Sequence, residues 1–255
     1  MTDTAALAAR LDTAAREAAA TTQLTADVAL AAPGAYAVQR ALVARRLARG
    51  ERMVGVKMGL TSRAKMAQMG VDEVIWGRLT DAMWIPDGGA VDTAAHIHPR
   101  VEPEVAFLLD RTPVVGDDFA ACVRAVAPAL ELIDSRYADF RFTLADVIAD
   151  NTSAAGFVVG PWRPVPDGLD NLGVLLEVDG EVVQTGSTAA ILGDPRRAFD
   201  AAVRLAGADG ITLAPGWVVL AGAATAAVPL APGSHVRAVV EGLGTASLTA
   251  RGARP

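Results

Sequence analysis

Arg100-Val101-Glu102-Pro103-Glu104-Val105-Ala106-Phe107-Leu108-Leu109 constrains the fold more than any other stretch of the chain. The apolar run at its end predicts a buried β-strand. Side chains two apart on a strand share a face, so Glu102 and Glu104 project to the same side. Two carboxylates on one face of a buried strand repel each other until something neutralises them, and a hard divalent cation does so. A third acid, Glu131, sits in the apolar run Leu130-Glu131-Leu132-Ile133. Glu-x-Glu is common on solvated strand faces, and that reading competes with a metal site. Glu131 weighs against it, because a lone buried acid costs several kcal/mol without a partner. Three glutamates offer only oxygen, a donor set that suits Mg²⁺ or Mn²⁺ rather than Zn²⁺.

Composition narrows the function classes. The 255 residues suffice for one large domain, or one domain with a helical appendage, and a 52% hydrophobic content supplies a sizeable core. The net charge of −6 and the lack of a basic patch argue against nucleic acid as a partner. Cys122 is the only cysteine, which excludes an intrachain disulfide and fits a reducing compartment. The acidic start Met1-Thr2-Asp3-Thr4 does not read as a signal peptide, and no apolar run approaches the ~20 residues of a membrane span. The expected location is the cytoplasm. Of 23 basic residues only Lys57 and Lys65 are lysine. An ammonium can lose its proton when desolvated, whereas a guanidinium effectively cannot. Lys57 lies between Val56 and Met58 in an apolar run, which singles it out. Lys65 reads as a surface residue.

Along the chain, residues 3–20 predict an amphipathic helix, and 36–48 a second one after the break at Pro33-Gly34. Residues 53–60 read as a strand whose glycines let another backbone or a ligand approach. Thr61 or Ser62 caps a short helix through Met69. Asp81, among apolar residues, is a turn residue or a site acid. His96 and His98 read as polar loop residues and stay outside the expected site. Residues 117–127 predict a helix, with Glu131 on the strand that follows. Thr143–Ala149 predicts a short helix, and 150–156 a small polar segment before the strand 157–159. Residues 173–178 and 181–184 form a hairpin around Asp179-Gly180. Thr185-Gly186-Ser187-Thr188 reads as a loop. A helix starts at Pro195, and strands near 217–220, 236–240 and 246–250 close the chain. Residues 1–50 thus read as a helical region and 51–255 as a mixed, mostly antiparallel β domain, an α+β chain.

Several segments resemble one family. They are Lys57-Met58-Gly59-Leu60-Thr61-Ser62, Met69-Gly70-Val71, Trp76-Gly77-Arg78-Leu79-Thr80-Asp81-Ala82-Met83, His98-Pro99-Arg100-Val101-Glu102-Pro103-Glu104, Glu131-Leu132-Ile133-Asp134-Ser135-Arg136-Tyr137 and Ala149-Asp150-Asn151-Thr152-Ser153. Their order and spacing from about residue 50 to the C-terminus resemble the hydratase/decarboxylase family of meta-cleavage catabolism, within the fumarylacetoacetate hydrolase superfamily. Ser62-Arg63-Ala64-Lys65-Met66, Val74-Ile75-Trp76-Gly77 and Asp134-Ser135-Arg136-Tyr137-Ala138-Asp139-Phe140 look more like its decarboxylases than its hydratases, which tend to carry a Pro-Asp-Phe-Gly-like stretch in place of 74–77.

The resemblance implies a core of the fumarylacetoacetate hydrolase C-terminal-domain type and a Mg²⁺ or Mn²⁺ ion held by Glu102, Glu104 and Glu131. It implies that Lys57 and Asp81 act in the pocket, Asp81 holding the lysine. It also implies that Gly70, Val71, Trp76, Asn151, Ser153, Thr185 and Gly186 face the substrate, with Trp76 in an apolar wall. Thr152-Ser153-Ala154 departs from the consecutive serines of relatives, which leaves open the hydroxyl that meets the substrate. The implied reaction is metal-dependent decarboxylation of 2-oxo-3-hexenedioate to 2-hydroxypenta-2,4-dienoate. Hydration of 2-hydroxypenta-2,4-dienoate is the alternative, and an inert small-acid-binding or scaffolding subunit is a third reading. A homo-oligomer, and a complex with the hydratase, are the implied assemblies.

Overall fold

The computed structural model describes residues 3–62, 66–67, 70 and 73–252. The expected helix through Met69 falls largely outside them, as do Val71 and Lys65. Helix α1 (Thr4–Glu17) is capped by Asp3, whose carboxylate accepts from the Ala6 amide, and α2 (Ala32–Ala48) carries Pro33 in its first turn, where no backbone donor is needed. Pro33 therefore starts this helix rather than breaking the chain before it. Buried Asp12 on α1 binds Arg45 of α2 and Arg49 at its C-terminal cap, at 3.0 and 2.8 Å, and fixes the pair of helices.

Then follow β1 (Met53–Gly59), β2 (Ile75–Thr80), β3 (Trp84–Ile85), β4 (Gly89–Asp92) and β5 (Arg100–Leu109). Next come α3 (Phe119–Cys122), β6 (Val123–Ile133), α4 (Leu144–Ala149), β7 (Ala154–Val159), β8 (Gly173–Val178) and β9 (Glu181–Ser187). The chain ends with α5 (Arg196–Ala208), β10 (Val218–Ala223), β11 (Val228–Pro229), β12 (His235–Val240) and β13 (Gly244–Arg251). The larger sheet runs β2-β1-β10-β5-β6-β7-β3, with β11 beside β5. It curls until β2 touches β7. The second sheet runs β4-β13-β12-β8-β9. The pairs β1/β10, β3/β7 and β4/β13 are parallel and the others antiparallel, so the α+β, mostly antiparallel reading holds.

Strand alternation divides the core. One face of the larger sheet sends Val101, Leu130, Leu132 and Val158 against Leu176, Val236 and Leu248 of the second sheet. Further along that face Val56, Val105 and Phe107 pack against α5 through Phe119 and Phe199, whose rings meet edge to face. The concave face carries Leu79, Ala106, Ala127, Ala129, Phe157 and Leu220. The helices α1, α2 and α4 cover one opening of the curl through Leu11, Val38, Leu42, Ile75, Tyr137 and Ile148.

Two further expectations fail. The predicted helix 117–127 is only α3, four residues long, and β6 begins at Val123. Pairing of Val123–Ala127 to β5 on one side, with Val126 bridged to Arg163 on the other, overrides the helical preference of an alanine-rich run. Thr185, Gly186 and Ser187 lie on β9 rather than in a loop, paired to Leu175, Val174 and Gly173. Asp179 and Gly180 both have positive φ, as the predicted turn requires. No helix among the described residues is long and apolar enough to cross a membrane.

Candidate metal and substrate site

Glu102 pairs with Glu131 across β5 and β6, and Glu104 follows on the same face. The register therefore stacks three carboxylates on the concave face, where each offers an oxygen within 4.8 Å of the others. Glu104 and Glu131 are fully buried and Glu102 nearly so. Glu104 Oε2 accepts from the Gly222 amide at 2.8 Å. Glu104 Oε1 and both oxygens of Glu131 receive no directed hydrogen bond. Lys57 Nζ lies 2.9 Å from Glu131 Oε2, an ion pair of poor hydrogen-bond alignment, and donates to the Thr152 carbonyl at 3.1 Å. Burial pushes the Glu104 carboxyl well above its ordinary range, the charges of Glu131 and Glu102 add to this, and Lys57 opposes it. Burial likewise pushes Glu131 up to about 6 against the pull of Lys57. Buried, underdonated oxygens at this spacing fit a hard divalent cation, which supplies the missing positive charge.

Lys57 reaches this place because β1 pairs with β2 so that Lys57 faces Gly77. A Cβ on Gly77 would meet the Asn151 carbonyl at 2.6 Å and the Lys57 stem at 3.2 Å, so only glycine leaves room. The neighbouring turn is strained. Asn151, Thr152 and Ser153 have φ of 51, 54 and 57°, a conformation that costs roughly 1–2 kcal/mol per residue outside glycine. The Asn151 side chain offsets this by clamping both the amide and the carbonyl of Arg78, at 2.8 and 2.9 Å. Thr152 Oγ1 donates to the Trp76 carbonyl at 2.8 Å. Ser153 Oγ is buried without a partner. Strain held this firmly concentrates at working sites.

A cavity of about 640 Å³ opens here, lined by Lys57, Glu102, Thr152 and Ser153, with Glu104 and Glu131 behind them. Leu60, Ile75, Phe142 and Val147 give it apolar walls, and Gln23 enters from the N-terminal region. Arg100, Asp139, Phe140 and Arg141 form another part of its lining.

The structure thus brings together Lys57, Glu102, Glu104, Glu131 and Ser153. The other expected residues among those described stand elsewhere. Asp81 binds the Arg52 amide and guanidinium, both at 2.9 Å, and those bonds hold its carboxyl below the usual range. It lies just past the end of β2, four residues on from the partner of Lys57 and ~13 Å away at strand spacing, so Glu131 and not Asp81 holds the lysine. Trp76 pairs with Met58, on the opposite face from Lys57, and is buried in the outer core against Tyr36 and Arg78. It does not line the cavity. Asn151 acts through its clamp, its side chain spent on Arg78. Thr185 is exposed on β9. Gly186 meets the cavity indirectly: a Cβ there would lie 2.4 Å from the Ala224 carbonyl, and Ala226 and Ala227 just beyond line the cavity. Gly70 is exposed at φ 65° and is not part of the lining. His96 and His98 brace the loop before β5, with Asp134 accepting from the amides of Ile97 and His98 at 2.9 Å. Sequence reasoning missed Gln23 and Arg141, which loops bring in from a distance, and quoted Phe140 only within a family-like segment. It quoted Arg100 without a role, although Arg100 sits two residues from Glu102 on the same strand face.

The model of the fumarylacetoacetate hydrolase C-terminal domain matches residues 51–250. A 4-oxalocrotonate decarboxylase of a Pseudomonas species is 53% identical over 254 residues, covering 97% of this chain and 98% of the relative. A 2-hydroxyhexa-2,4-dienoate hydratase of Comamonas testosteroni is 35% identical over 222 residues, 84% of each chain. The solved 4-oxalocrotonate decarboxylase of Pseudomonas putida G7, complexed with magnesium and adipate, superposes with a TM-score of 0.94 at 37% identity, covering 98% of both chains. This chain belongs to the fumarylacetoacetate hydrolase family, among its decarboxylase and hydratase members.

Proposed function

We propose that this protein is a metal-dependent 4-oxalocrotonate decarboxylase, converting 2-oxo-3-hexenedioate to 2-hydroxypenta-2,4-dienoate and CO₂. The observation that carries this reading is the buried glutamate trio with underdonated oxygens beside Lys57, in a chain 53% identical to a decarboxylase of that activity. Glu102, Glu104 and Glu131 hold Mg²⁺ or Mn²⁺, which supplies Lewis-acid polarisation of the 2-keto oxygen when bound. The P. putida G7 relative was solved with magnesium, which supports the choice of ion.

The C5–C6 bond breaks, its electron pair forms C4=C5, the C3=C4 pair moves to C2=C3, and negative charge reaches the C2 oxygen. Lys57, held by Glu131 and the Thr152 carbonyl, places an ammonium where that charge develops and can give it a proton. Among the described residues Ser153 offers the one buried hydroxyl without a partner, which supports it as the group that meets the substrate carboxylate. Leu60, Ile75, Phe142 and Val147 keep water from the reacting carbons.

Residues 51–255 carry the chemistry in this reading, and 1–50 brace the site through α2 and Gln23. The chain works in the cytoplasm, consistent with its single, buried, free Cys122. It forms a homo-oligomer and associates with the hydratase that consumes its product. The outer edge of β9 with exposed Val182 and Val183, together with exposed Val114 and Val115, supports such contacts.

The test supplies the purified protein and Mg²⁺ with the hexenedioate and, separately, the pentadienoate. Release of CO₂ from the first with no hydration of the second is the expected result. Hydration of the pentadienoate without CO₂ release establishes the hydratase alternative, and inactivity on both establishes the binding subunit.

A further inference from the structure

Among the described residues, neither Arg100 nor Arg141 pairs with a carboxylate, although both line the acid-bearing cavity. Most other arginines of this chain hold an aspartate or glutamate. Arg100 is half-buried, and its guanidinium lies 4.5 Å over the Phe140 ring. Phe140 is fixed in turn: its ring packs on His98 at 5.0 Å and on Phe142 at 5.7 Å, and its backbone, like that of Asp139, sits at positive φ. A bulky residue in that region is strained, so the strap 139–142 holds its wall at a cost that tight packing offsets. The result is a preorganised cation aimed at a cavity with no protein anion assigned to it. Asp139 shares the lining but makes no ion pair with either arginine.

The spacing fits a dianion. Arg100 precedes Glu102 by two residues on one strand face, ~7 Å along β5. The terminal carboxyl carbons of a six-carbon chain are five bonds apart, ~6 Å when extended. We propose that Arg100, steadied on Phe140 and assisted by the more exposed Arg141, is the specificity-determining subsite for the second carboxylate of a 2-oxo diacid whose keto-acid end lies at the glutamate trio. This rests on the decarboxylase reading of the same site. It deepens that reading by separating the substrate from its product and from hydratase substrates, which lack the second carboxylate. A guanidinium on a departing carboxylate holds ground state at least as well as transition state, so the subsite acts on affinity rather than on the chemical step.

The experiment measures, by calorimetry on the Mn²⁺-loaded protein, binding of 2-oxohexanedioate and of 2-oxohexanoate, which differ only in the distal carboxylate. The parent is expected to prefer the diacid by about ten- to a hundredfold, the range for a charge-assisted hydrogen bond. Arg100→Gln loses most of that preference with 2-oxohexanoate affinity and Mn²⁺ affinity intact, Arg100→Lys retains part of it, and Arg141→Gln loses a smaller share. Equal binding of the two probes by the parent overturns the subsite while leaving the decarboxylase reading standing, and needs no variant to fold. Loss of both probes in Arg100→Gln also overturns it, because the residue then shapes the cavity as a whole. Failure of the parent to bind either probe overturns the subsite and the decarboxylase reading together.

Discussion

Two buried ionic clusters lie within the same curled sheet and its turns, and they are built in opposite ways. Around Arg136 every charge is answered. Its guanidinium binds the Asp150 carboxylate and carbonyl, the Asp134 carbonyl at 2.6 Å and the Ala154 carbonyl at 3.2 Å, while Asp150 also accepts the Arg136 amide at 3.0 Å. Asp134 takes two backbone amides in addition. Around Glu131, Lys57 pairs with Glu131 and the Gly222 amide donates to Glu104, and three oxygens of these two buried carboxylates receive no directed hydrogen bond. The first cluster fixes the turn that presents Thr152 and Ser153. The second leaves charge uncompensated at the edge of a cavity. A saturated buried network is architecture. An unsaturated one, in a fold that can saturate its neighbours, is reserved for something that binds.

Breaking the saturated cluster has the largest expected effect on the fold. Asp150→Ala strands a buried guanidinium and costs about 3–5 kcal/mol of stability in urea unfolding. A change below about 1 kcal/mol there would erase the distinction between the clusters. On the unsaturated side Lys57→Met keeps the stem and removes the ammonium. Turnover falls on the order of 10²–10³-fold while Mn²⁺ still binds, and Lys65→Met turns over like the parent. Equal kcat for the two variants removes Lys57 from the chemistry.

A pH series sharpens the same contrast. Glu131 is raised from 4.5 to about 6, and Glu104 is also raised, so the folded protein without metal holds protons that the unfolded chain releases. That contribution is full at low pH and is lost as pH rises through about 6. Metal needs the carboxylates ionised. Saturating Mn²⁺ therefore raises the melting temperature most near pH 8, with a gain of about 2.7 kcal/mol at a hundredfold excess over Kd, and little near pH 5. A pH-independent shift in melting temperature places the ion elsewhere. Asp81→Asn, at the small end, leaves kcat and Mn²⁺ affinity unchanged, because Asp81 serves Arg52. A large loss of kcat restores Asp81 to the site.

How much of this was legible in the sequence follows from what each residue depends on. Glu102, Glu104 and Lys57 were readable because their meaning is local: a charge inside an apolar run, at a spacing that fixes its face. Glu131 was readable for the same reason, although its alignment with Glu102 needed the register. Trp76 and Asp81 misled, since a strand of unknown register does not tell which face turns inward, and an acid after a strand is as readily a turn residue. The alanine-rich run before Glu131 read as helix because its pairing on both sides is non-local. The strap that carries Phe140 and Arg141 lies close to β5 only through tertiary packing, and no pattern within residues 138–142 announces it. The conformation of Asn151–Ser153 was equally hidden, because left-handed backbone at three non-glycine residues is imposed by the clamp on Arg78.

The central claim is that the three buried glutamates exist to hold one divalent cation. Titration of the full-length parent and of Glu104→Gln and Glu131→Gln with Mn²⁺ by calorimetry, near neutral pH, tests it most directly. The account predicts one ion per chain for the parent. It predicts affinity weakened more than about a hundredfold in each variant, since even outer-shell partners of a metal typically cost ten- to a hundredfold. It also predicts that metal-free Glu104→Gln folds at least as stably as the parent, because an amide there relieves a buried charge whose directed donor is the Gly222 amide. Parent-like Mn²⁺ affinity in both variants, or no binding by the parent, would contradict it.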